Sequence, residues 1–310
     1  LLAFLATSLV ASSARSQEGT IAPPRLGGYV QTRESWQEKV GVTALINRAR
    51  FSMDGTLPSS FSYRFLVELE ASAGARNPAT VSLREAFARW TSGSLAITGG
   101  QFKTPFSREY LLPVPVLETA DFAAVVDSLA PKYDVGAMAE YALGPYATLT
   151  AGAFNGEGQN STANRDSTVM LVGRMTARPF AELALGGSVA RDGADSLRWG
   201  VEAQVEWLGA LVRGEIISRH RRGRDLDRDD LGWYVFTGFR VVPRVQVIAR
   251  QEDFRRPSVG PSRRVHGTTL GTNVEIVPNR VRLLFEGVRR YTGASDLRTD
   301  VLLAQAQLRF

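Results

Sequence analysis

The feature that most constrains this chain is a period of two. Phe61, Tyr63, Phe65, Val67, Leu69 and Ala71 alternate with Ser62, Arg64, Glu68 and Glu70. Trp199, Val201, Ala203, Val205 and Trp207 form a second stripe, opposite Arg198, Glu202, Gln204 and Glu206. Val281, Leu283 and Phe285 alternate with Arg282 and Glu286, and Leu302, Ala304, Ala306, Leu308 and Phe310 with Gln305, Gln307 and Arg309. Successive side chains of a strand point to opposite faces, so the pattern predicts half-apolar strands rather than helices. No internal apolar run reaches the roughly 18–20 residues of a spanning helix. A mean hydropathy near zero does not exclude spanning strands, whose two faces average out.

A soluble sandwich alternates too, and connection lengths separate the two cases. Tight connections are expected at 91–94, 143–145, 178–179, 208–209, 242–243 and 278–279. Longer polar ones are expected at 34–39, 73–79, 155–166, 192–197, 220–230, 255–265 and 292–299. Short and long alternate, as in barrels with short periplasmic turns and long external loops. A strand between each pair predicts an all-β, closed antiparallel transmembrane β-barrel of about 16 strands, each of roughly 9–14 residues. Closure leaves no edge strand in hydrocarbon. Phe310 falls in phase with an outward stripe, as the last residue of such barrels commonly does.

The amino end is read as a targeting segment. Residues 1–10 are apolar, small residues follow, and Ala14-Arg15-Ser16 precedes Gln17. This predicts a secretory signal peptide over 1–16, its charged start cut away, and a single barrel domain over 17–310.

One connection breaks the pattern. Between Lys103 and Pro131 lies the third external loop, of about 28 residues, carrying Leu111, Leu112, Val114, Val116 and Leu117. It is too long and too apolar for a solvated hairpin. It is expected to fold into the lumen and narrow it; the other reading is a lid or a contact between subunits.

Four segments resemble the phosphate-selective porin O and P family. Gly100-Gln101-Phe102-Lys103-Thr104-Pro105-Phe106-Ser107 is close to its GQFK-x-PFS segment. Arg48-Ala49-Arg50 with Gly55-Thr56-Leu57 is similar to its second strand. Leu129-Ala130-Pro131 with Asp134-Val135-Gly136 resembles its exit from the third loop, and 152–158 its GVFNGDG strand end. The matches stand in family order. The resemblance implies a sixteen-stranded, homotrimeric, passive outer-membrane channel, selective for anions or phosphate in characterised members.

If the apolar stripes face lipid, the alternate positions face water. Those phases send Arg33, Arg48, Arg50, Arg64, Arg174, Arg198, Arg213, Arg240, Arg250, Arg282 and Arg309 to the lumen. A guanidinium stays charged and donates two parallel hydrogen bonds, which suits phosphate. Several weak sites in file would let an anion enter and leave. Arg48 and Arg50 match the family's basic second strand and are the constriction candidates, followed by Lys103 and by Arg108 in the third loop. The same phases send Glu68, Glu70, Glu140, Glu182, Glu202, Glu206, Glu215, Glu252, Glu275 and Glu286 inward, where they can pair with the arginines and merely brace the wall. The selective members place lysines along the pore. This chain has 34 Arg and only 3 Lys against 31 acids, and Tyr110 stands where a basic residue is expected. A non-selective general porin is therefore the alternative, and a structural or adhesive barrel with a plugged lumen is a third.

Two loops are intensely basic, at 219–224 and at Arg255, Arg256, Arg263 and Arg264. They are expected either to draw anions to the mouth or to bind lipopolysaccharide phosphates in the outer-membrane lipid. Asp225, Asp227, Asp229 and Asp230 partly neutralise the first. Nucleic acid is not an expected partner of an exported barrel. Lacking cysteine, the chain has no disulfide scaffold, thiolate zinc site or cysteine nucleophile. Neither His220 nor His266 sits in a nucleophile motif, so no enzyme activity, cofactor or metal is expected.

Overall fold

The computed structural model describes residues 22–58, 60–70, 80–161, 163–165, 167–223, 227–256, 263–293 and 297–310. The expected signal peptide lies outside them.

Sixteen strands form one closed antiparallel barrel, each bonded to its neighbours in sequence and the last to the first. They are β1 Arg25–Gln37, β2 Gly41–Leu57, β3 Phe61–Glu70, β4 Thr80–Ser92, β5 Leu95–Lys103, β6 Tyr133–Leu143, β7 Ala147–Phe154 and β8 Met170–Phe180. Then follow β9 Leu183–Asp192, β10 Ser196–Trp207, β11 Ala210–Arg221, β12 Arg228–Val242, β13 Val245–Arg256, β14 Arg263–Val277, β15 Val281–Thr292 and β16 Leu297–Arg309. The ring closes through the register Tyr29↔Arg309 to Gln37↔Val301. Two short helices, α1 Arg108–Leu111 and α2 Ala124–Leu129, lie between β5 and β6.

The alternation read from the sequence separates the two faces of the wall. Val201 and Val205 are 50% and 41% exposed, while Glu202 and Gln204 beside them are 7% and 9%. The exposed stripe is the surface that meets hydrocarbon; a polar stripe there would cost several kcal/mol per unsatisfied group.

Strand lengths run from 8 residues in β7 to 17 in β2, a wider range than expected. Several loops are shorter than their polarity suggests: 38–40 joins β1 to β2, and 193–195 joins β9 to β10. Charged residues that read as loop continue the ladder instead, as His220↔Asp229 and Arg219↔Asp230 do between β11 and β12. Cross-strand pairs of opposite charge stabilise such extensions beyond the apolar belt. The turn expected at 178–179 lies at 181–182. Pro179 stays within β8, where the register slips between Ala177 and Phe180 and a missing N–H breaks no ladder bond.

Segment 104–132 is the third connection at the loop end of the barrel, as expected. It makes side-chain contacts with the polar face of β1, β10, β11, β13, β15 and β16. Its apolar side packs on Met170, Val172, Ile217, Phe236, Ile248 and Phe254. These wall residues break the polar phase of their strands, and a dry face on the segment is what they cover. Gly232 makes room for α2: a Cβ there would come within 2.8 Å of Val125 Cγ2.

Candidate functional site

The site begins where β5 stops. Pro105 has no N–H to continue a ladder, and the chain turns away from the wall. Thr104 Oγ1 donates to the Pro131 carbonyl at 2.7 Å, pinning the two ends of the segment together. Ser107 takes a left-handed backbone (φ 64°) to cap α1, its hydroxyl accepting from the Tyr110 N–H. The same hydroxyl donates to Glu215 Oε2 at 2.6 Å. A non-glycine residue in that region is strained, and the two buried hydrogen bonds hold it there.

Wall glutamates grip the backbone of the segment. The N–H of Arg108 donates to Glu202 (2.9 Å), that of Glu109 to Glu215 (2.5 Å), that of Ala120 to Glu286 (2.9 Å) and that of Ala124 to Glu252 (2.7 Å). Charge-assisted bonds of this kind are about twice as strong as neutral ones. Within the segment, Glu109 accepts from the Ala123 N–H at 2.9 Å and ties α1 to α2. Burial pushes the Glu109 carboxyl above its usual range, against the opposing charges of Arg250 and Arg213.

Wall arginines complete the grip. Arg33 binds Asp121 through both terminal nitrogens, at 3.0 and 2.9 Å, and Arg48 Nη2 lies 3.9 Å from the same carboxylate. Arg250 donates to Thr119 Oγ1 and to the Asp121 carbonyl. Arg213 pairs with Glu118 at 2.8 Å over the face of Phe236.

The arginines and lysine singled out in the sequence fall into three settings. Arg48, Arg50 and Lys103 come together with Arg84 and Lys132 around a cavity of about 370 Å³, where Glu68 and Asp127 are the acids and Tyr110 and Tyr133 the aromatic walls. Arg50 is committed to Glu68 at 3.0 Å. Lys103 Nζ donates to the carbonyls of Tyr110 and Leu112 at 2.6 and 2.8 Å and so holds the segment. Arg108, Arg213 and Arg282 border a larger cavity of about 830 Å³ near the short turns, with Arg178, Arg240, Arg280 and Arg309. Its acids are Glu118, Glu206 and Glu275. Arg174 and Arg64 belong to neither of these two sets of cation-rich walls. Arg174 is buried against Glu202 and Ser188, and Arg64 bridges Asp54 and Glu85 at 2.7 Å each. Arg198 lies beside Asp192 at 3.9 Å and lines a further cavity of about 440 Å³ that shares Arg84, Tyr110, Lys132 and Tyr133 with the smaller one.

Sequence reasoning missed three things. Lys132 and Arg84 belong to the smaller cavity, and their phase was the available signal for Arg84. The glutamates bond to backbone, which no residue pattern announces. In the basic 219–224 loop, Arg219 and Arg221 turn inward and share Asp230 with Arg256, at 2.7, 3.2 and 3.9 Å, so they sit at the mouth of the barrel. Arg224 and Asp225 lie outside the described residues.

Residues 33–195, more than half of the chain, match the family model described as phosphate-selective porin O and P. No curated protein sequence matches the chain. Among solved structures, the outer-membrane channel DcaP of Acinetobacter baumannii superposes with a TM-score of 0.71 at 13% identity, over 93% of this chain and 97% of that one. The anion-selective porin from Comamonas acidovorans gives 0.70 at 13% identity, over 93% and 99%. The trimer form of OmpT, an outer-membrane protein of Vibrio cholerae, gives 0.68 at 12% identity, over 93% and 99%. At these identities the superpositions establish the barrel fold.

Proposed function

The chain belongs to the phosphate-selective porin O and P family, an outer-membrane channel, and from that premise we propose that it passes small hydrophilic solutes with a preference for anions. The observation that carries the preference is the lining of the larger cavity, seven arginines against three glutamates. Excess fixed positive charge in a low-dielectric passage attracts anions and repels cations. In this reading segment 104–132 lies inside the barrel and divides the passage. Contacts from one short segment to both β1 and β11 of a closed ring support that placement. An anion passes between the larger cavity, lined by Arg108, Arg213 and Arg282, and the smaller one, lined by Arg48, Arg50 and Lys103. Phosphate is the favoured anion where two guanidiniums converge, as Arg48 and Arg50 do. Arg64, Arg174 and Arg198 shape the wall around this path. We take the working unit as a homotrimer, in line with the family, and assign the chain no catalytic activity.

A non-selective channel is the second reading, favoured by the ion pairs that engage Arg50, Arg64, Arg174 and Arg213. A planar bilayer separates the two. The proposal expects discrete current steps and an anion-favouring reversal potential under a salt gradient. A potential of the opposite sign overturns the anion path. Absence of steps overturns the channel and points to a plugged, structural barrel. Phosphate should block chloride current, and Arg48→Ala should relieve the block; block that survives the substitution removes Arg48 from the path.

A further inference from the structure

On the outer surface of β13–β16 the apolar belt ends abruptly in charge. The ladder arranges outward side chains in rows. Ala249, Leu270, Gly287 and Leu302 make one row, and Gln251, Thr268, Arg289 and Asp300 the next toward the loops. Asp253, His266, Tyr291 and Arg298 make the row after that. One row beyond, Arg255 and Arg264 face each other directly across the β13–β14 ladder, an arrangement that like charges disfavour. Asp300 serves both Arg289 (3.0 Å) and Arg298, and Asp253 serves Arg264 (2.7 Å). Three guanidiniums thus share two carboxylates, with Arg255 a fourth cation beside them, and the side chains of Arg264, Arg289 and Arg298 remain about half exposed.

Immediately below this patch the outer wall is hollow. A groove of about 500 Å³ runs between Trp36, Val42, Phe285, Gly287, Leu302 and Ala304. Its depth comes from Gly287, where an added Cβ would meet only Leu302 Cδ2, at 3.7 Å. Arg289 lies two residues further along β15, a rise of about 7 Å. A cationic patch one row above an apolar groove, at the rim where aromatic side chains mark the interface, has the dimensions of a headgroup and the start of an acyl chain.

We propose that this face binds a phosphate-bearing lipid of the outer leaflet, its phosphate between Arg264, Arg289 and Arg298 and an acyl chain in the groove between Trp36 and Phe285. The net positive charge of the patch favours an anionic over a zwitterionic lipid, and the apolar groove favours a lipid over free phosphate. Every group involved points away from the lumen, so occupancy is independent of the permeation path.

The test uses the full protein purified from outer membranes in mild detergent, with native mass spectrometry and added lipid A as probe. Lipid A should remain bound through detergent exchange, and lipid A with both phosphates removed should be lost at least tenfold more readily. Arg264→Glu with Arg289→Glu should reduce retention by a similar factor, as should Gly287→Leu, which fills the groove without touching charge. Each variant should keep its single-channel conductance, which also shows that it has folded. Equal retention of the two lipids by the native protein overturns the proposal. So does loss of the assembled oligomer in Gly287→Leu, which would mean that a second copy of this chain occupies the groove. Should the native protein bind lipid A and pass no current, the channel reading fails while the lipid site stands.

Discussion

Arg33 on β1 and Asp121 in the third loop form a two-pronged ion pair, 3.0 and 2.9 Å long, between residues 88 positions apart. Arg48 approaches the same carboxylate from β2. One acid therefore restrains and partly neutralises two cations of the wall, which on the proposed reading face the passing solute.

Asp121→Asn should release that restraint. The reversal potential should shift further toward anions, and chloride conductance should rise. A shift toward cations would show that Arg33 and Arg48 do not face the path.

Arg282 borders the larger cavity and, among the described residues, makes no ion pair or side-chain hydrogen bond. Arg282→Gln should cut anion preference and leave thermal unfolding in detergent nearly unchanged. Arg174→Ala should do the reverse. It strands the buried Glu202 carboxylate, which costs about 3–5 kcal/mol when a buried pair is broken. The two variants together separate permeation from stability, with unfolding temperature and reversal potential as the two readings.

Phe106 is fully buried at the start of the segment, and its ring reaches Gly200 on the wall. Phe106→Ala removes about 3–5 kcal/mol of packing, enough to loosen the segment without opening the barrel. Single-channel current should become larger and noisier; unaltered current would show that this ring is not what seats the loop.

Glu109 supplies a pH dependence with a definite sign. Its carboxyl is raised by burial, with Arg250 at 3.8 Å and Arg213 opposing. The raised value means that the seated segment binds this proton more tightly than the released one does. Seating is therefore favoured below the raised value and weakens as pH climbs through it. Open-channel noise should fall as pH is lowered from neutral into the ordinary carboxylate range. Glu109→Gln should diminish that change while keeping the acceptor for the Ala123 N–H. Noise that follows pH equally in the variant would assign the effect to another group.

The barrel was legible because lipid imposes a rule on every second residue, and stripes such as Val201 to Val205 obey it without exception. The third loop was legible for the opposite reason: Leu111, Leu112 and Leu117 have no place in a solvated hairpin. Which arginines stay available to an anion was not legible. That depends on partners such as Glu118 for Arg213 and Asp121 for Arg33, brought together by the tertiary fold and carried by no period. Strand ends near Arg221 and Thr292 were obscured because, beyond the hydrocarbon, paired charges extend a ladder as well as apolar residues do.

Glu202, Glu215, Glu252 and Glu286 each accept from a main-chain N–H of the third loop. A main-chain donor is the same whichever residue carries it, proline apart. These four bonds therefore specify a path for the backbone whichever residues lie along it, while Glu118 and Asp121 are tied by their side chains to wall arginines. Side chains of the segment that make no bond to the wall can be exchanged one at a time while these four bonds stay intact, so that one barrel becomes a holder for interchangeable filters.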